Sequence, residues 1–68
     1  MDKIINAILG NEKRVAKLRT LNGRQLRDKI QNFVVSECQA QKIKLSQNDI
    51  FKASAEIEVA LERIGGGL

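Results

Sequence analysis

The stretch Lys13-Arg14-Val15-Ala16-Lys17-Leu18-Arg19-Thr20-Leu21 decides the fold, because it reads either as helix or as strand. As a helix, Val15, Leu18 and Leu21 step by threes along one side, and Lys, Arg and Ala between them are strong helix formers. As a strand, Ala16 and Leu18 face one way while Val15, Lys17 and Arg19 face the other. Propensity favours the helix. The expected class is therefore all-α, a small bundle of three to four short helices.

The flanking sequence extends that reading. There is no Pro, and Gly at positions 10, 23 and 65–67 divides the chain into segments free of helix breakers. Asp2 to Leu9 has an Asp suited to N-capping and apolar Ile4, Ile5, Ile8 and Leu9 before Gly10. A second segment opens at Asn11, a capping type, carries Glu12 in its first turn and Arg19 in its last, and is expected to stop at Asn22-Gly23. A third runs from Arg24 to about Gln41, with Leu26, Ile30, Phe33 and Val34 as its apolar stripe. Glu37 falls on that stripe, so either the stripe ends there or the carboxylate meets a cation; the first is expected. Cys38 is read as lying off the stripe.

The fourth segment starts at Ser46, with Asp49 three residues on as a variant capping box, and runs to Ile64 before Gly65. Ile50, Ala53, Ile57, Ala60, Leu61 and Ile64 form its main stripe. Phe51, Ala55 and Val59 form a weaker second one, expected to be covered by a partner chain in a homodimer. Both Phe33 and Phe51 are assigned to the core. The domain expected is residues 1–64, followed by a flexible Gly-rich tail at 65–68.

The strand reading leads elsewhere. A basic strand at residues 14–20 followed by two amphipathic helices resembles a ribbon-helix-helix repressor over residues 13–64. That resemblance implies a dimer whose paired strands enter the DNA major groove. Ser46 suits the cap of the family's second helix. Lys44-Leu45 stands where the family has a Gly, and the segment between the stripes is longer than usual.

Composition sets limits on the chemistry. Sixty-eight residues make one domain, with 12 Lys and Arg against 8 Asp and Glu, a formal charge of +4 and a sequence pI near 9.7. With no His and only Cys38, one copy cannot assemble a Cys/His zinc site, a Ser-His-Asp triad or a Cys-His pair. Asp28, Glu37 and Asp49 have no spacing that points to catalysis, so no enzyme and no cofactor is expected. A lone cysteine favours a reducing, cytoplasmic setting. The apolar runs Ala7-Ile8-Leu9 and Phe33-Val34-Val35 are far too short to span a bilayer. The first segment has Lys3 as its one cation, too little for membrane-surface binding.

Charge placement is the informative feature. Residues 1–34 hold eight cations and three anions, whereas residues 35–68 hold four and five. Lys13, Arg14, Lys17, Arg19, Arg24, Arg27 and Lys29 are the candidate nucleic-acid-binding residues, with Asp28 the one anion among them. Arg is the commoner type, which suits bidentate phosphate contact. A helix-turn-helix with Gly23 in its turn does not fit, because Arg19 and Lys29 fall where small and apolar residues are wanted. Two aromatics are too few for a single-strand stacking platform. The expected partner is duplex DNA backbone, with Gln25, Gln31 and Asn32 as polar readers. The alternative is a helical protein-interaction module that meets an acidic protein surface and has no nucleic-acid role.

Overall fold

A computed structural model describes the backbone of residues 2–66 and the side-chain surroundings of residues 2–63. Four helices follow one another: α1 (Asp2–Leu9), α2 (Glu12–Arg19), α3 (Gly23–Gln41) and α4 (Gln47–Gly66). Among the described residues there is no strand. The expected all-α class with four short helices is what the chain adopts.

Residues 13–19, the ambiguous stretch, are helical for local reasons that the sequence contains. The Asn11 side chain accepts a hydrogen bond from the Arg14 backbone N–H at 3.1 Å, while Glu12 and the Lys17–Arg19 end complement the helix dipole. Leu18 is fully buried and Val15 half-buried, so the helical step of three wins the core. Residues 14–20, the strand of the ribbon arrangement, are thus helix and helix cap in this single chain. The helix ends earlier than Asn22. The Thr20 hydroxyl donates to the Lys17 carbonyl at 2.7 Å, and Leu21 N–H reaches the Leu18 carbonyl at 3.1 Å, tightening the last turn.

Ser46 caps α4 as expected, its hydroxyl accepting from the Asp49 N–H at 3.2 Å. The helix continues to Gly66 rather than stopping before Gly65. Residues 67–68 of the expected tail, and the burial of Ile64, lie outside the described residues.

The core is a single cluster. α1 contributes Ile4, Ile5 and Ile8; α2 contributes Leu18; α3 contributes Ile30, Val34 and Cys38; α4 contributes Ala53, Ile57 and Leu61. Two assignments from sequence change. Cys38 is a core residue, one turn beyond Val34 on the same stripe, and burial pushes its thiol pKa up. Phe51 is 54% exposed, because the turn of α4 that carries it directs Ile50 and Ala53 to the core and leaves Phe51 on the outer side.

α3 ends in a Schellman turn with an unusual residue. Lys42 adopts φ 57° and ψ 38°, with its N–H bonded to the Gln39 carbonyl at 3.3 Å and the Ile43 N–H to the Cys38 carbonyl at 2.8 Å. Left-handed backbone costs a Lys what it does not cost a Gly. Lys42→Gly is expected to raise stability by about 1 kcal/mol in urea denaturation; a lower midpoint contradicts the strained turn. Ile57 has no exposed surface and stands midway along the buried side of α4. Ile57→Ala should cost ~2–5 kcal/mol in the same assay, and a loss under about 1 kcal/mol places the core elsewhere.

Candidate nucleic-acid interface

α2 and the first half of α3 carry the seven candidate cations, and packing sorts them into distinct roles. Lys13 and Lys17 stand one turn apart on the outer side of α2, both exposed. Arg14, between them in sequence, turns toward α3. Its Nη1 donates to Glu37 Oε2 at 2.6 Å, and Gln41 Nε2 donates to Glu37 Oε1 at 2.8 Å. Glu37 therefore meets a cation, contrary to the expectation that the stripe simply ends there. An acid on the α2-facing side of α3 is acceptable because both of its oxygens find donors.

Phe33 belongs to the same cluster. The Arg14 guanidinium carbon lies 5.5 Å and the Lys29 ammonium 5.3 Å from its ring centroid, within reach of cation–π attraction. Phe33 is half-buried and packs against the core, so it serves the interior and anchors two of the cations.

On the other side of α3, Arg27 Nε stands 3.5 Å from Glu58 Oε2 of α4. The Arg27 side chain is 74% exposed, so this tie is worth ~0–1 kcal/mol at most and yields easily to another anion. Arg19 shares a surface recess with Glu58 and Glu62. Among the described residues, Lys13, Lys17, Arg19 and Arg24 are exposed and belong to no ion pair. Gln25 and Asn32 are exposed and Gln31 half-buried.

The two acidic partners, Glu37 and Glu58, were not assigned roles at the site from sequence. Glu37 gave a visible signal, an acid on an apolar stripe. Glu58 gave none, since acids on the flank of an amphipathic helix are ordinary.

No family model matches the chain, and no curated protein and no solved structure matches it significantly. The chemistry of the exposed surface is what remains to assign a role. Among the described residues no helix is long and apolar enough to cross a membrane.

The Glu37 cluster has a pH signature. Hydrogen bonds from Gln41 and then from Arg14 hold the Glu37 carboxyl below its usual range, outweighing the opposing effect of partial burial. A carboxyl lowered in the folded state adds stability above its unfolded pKa and loses it as pH falls through the folded value. Glu37→Gln should therefore lower stability at neutral pH by about 1 kcal/mol and flatten the loss of stability below roughly pH 4. Denaturation curves across that range check both effects, and an unchanged acid limb contradicts the assignment.

Proposed function

We propose that the chain is a small regulatory or accessory protein that binds nucleic-acid backbone, duplex DNA in particular, and acts as a homodimer. Four cations that are exposed and, among the described residues, outside any ion pair, Lys13, Lys17, Arg19 and Arg24, carry this reading: they stand on consecutive helices joined by a short turn. Arg27 joins them when a phosphate displaces Glu58. Arg14 and Lys29 add positive potential from behind, while their contacts with Glu37 and Phe33 serve the fold.

Contact of this kind follows charge rather than base sequence. Sparse aromatics, with Phe33 facing cations and Phe51 on the far helix, favour a duplex over a single strand. A chain with one cysteine, buried in its core, suits a reducing cytoplasm. Dimer formation is supported by the outer side of α4, where Phe51 and Val59 stay 54% and 48% exposed. That apolar side also favours the second reading, a helical module whose partner is another protein.

A duplex titration distinguishes the two. Binding should weaken with a log–log salt slope of about −3 to −4 per chain if the four free cations each meet a phosphate. Lys13→Glu with Arg24→Glu should abolish binding and leave helicity unchanged, because both residues are exposed in the first turn of their helices, where an acid suits the dipole. A chain that shifts no duplex at ~50 mM salt, a condition favouring even non-specific binding, contradicts the nucleic-acid reading and leaves the protein-partner reading.

A further inference from the structure

The outer side of α4 contains more than an apolar patch. Along its length Asn48, Phe51, Ala55, Val59 and Glu62 recur at three- and four-residue steps, the spacing of a helix seam, with small Ala55 in the middle. On one flank of that seam the charges run Asp49, Lys52, Glu56, Arg63. Among the described residues none of these four is in an ion pair within the chain. Read from the other end, the signs are +, −, +, −, the complement of the forward order.

We infer that two copies pair through antiparallel α4 helices about a twofold axis at Ala55. This rests on the dimer reading and specifies its geometry. In an antiparallel pair, residues whose numbers sum to a constant share a level, and flanks of the same hand meet. Centring on Ala55 puts Phe51 level with the partner copy's Val59, twice over by symmetry. Asn48 and Glu62 then close the seam with a polar layer at each end. On the charged flank, Lys52 comes within a turn of Glu56 of the other copy and Arg63 within a turn of its Asp49, while the two Glu56 carboxylates, also within a turn of each other across the axis, are each offset by the other copy's Lys52.

A parallel pair lacks this match. It sets Glu56 of each copy within a turn of the other's Glu58 on facing flanks, where they repel, brings the two Glu62 to the same end of the seam, and aligns the two helix dipoles instead of opposing them. Ala55 allows the axes to approach closely at the centre. With one helix per copy, the buried area is at the small end for a stable complex, so assembly is expected at micromolar concentration.

Disulfide trapping between Asn48→Cys and Glu62→Cys tests the geometry, because both positions are exposed and the apolar seam stays intact. The unmodified chain, whose Cys38 is buried, sets the background. Mixed together under mild oxidation, the two variants should give a disulfide-linked dimer well above the amount either gives alone. Self-linking by each variant alone indicates a parallel pair and overturns the inference while the dimer stands, as does a mixture no better than its components. Sedimentation of the unmodified chain at the same concentration reports on the dimer itself, and a 7.6 kDa monomer there overturns both.

Discussion

Burial of α1 is the constraint on which the rest depends. An eight-residue helix is too short to hold together in water, and α2 is no longer. Ile4 and Ile8 have no exposed surface, and α1 packs against all three other helices. Each short helix is therefore stable only as part of the whole. Removing α1 exposes the inner sides of α3 and α4 together, which is the behaviour of one cooperative unit.

That constraint also sets the surface. Leu18 must reach the common core, so α2 is held with Arg14 toward α3 and with Lys13 and Lys17 outward. Glu37 and Gln41 then fix the Arg14 end, a polar clasp beside an otherwise apolar contact. The same geometry sets Arg27 beside Glu58 of α4, where it is partly compensated, and places Arg19 along a recess shared with Glu58 and Glu62. A positive segment in the sequence thus becomes a graded surface: among the described residues Lys13, Lys17 and Arg24 stand outside any ion pair, while Arg14 and Arg27 are tempered by Glu37 and Glu58. As pH falls below the usual carboxylate range the Glu37 clasp is lost, and with it that part of the stability of the whole unit.

Much of the architecture was legible in the chain. Asn11 and Ser46 marked helix starts that the structure keeps, because a side-chain oxygen at those positions satisfies a backbone donor with no tertiary help. The steps through Ile30, Val34, Ile57 and Leu61 predicted the buried sides for a similarly local reason, the helix period. What failed depended on neighbours. Cys38 was placed off the stripe and Phe51 in the core, yet a helix side is buried only as far as another helix covers it. The seven cations are equivalent in sequence; only packing shows that Arg14 has a carboxylate within reach and that, among the described residues, Lys17 is in no ion pair. Lys42, in left-handed backbone where Gly is usual, gave no signal either, since the turn is imposed by the core contact of Ile43.

The central claim is that the exposed cations of α2 and the start of α3 form the binding surface, separate from the outer side of α4. NMR mapping of backbone amides during titration with a short DNA duplex tests it most directly. The account predicts shift changes centred on residues 13–27, reaching α4 only beside Arg27 and Glu58, with Asn48, Glu56 and Arg63 unmoved at constant protein concentration. Changes centred on α4, or none anywhere, would contradict it.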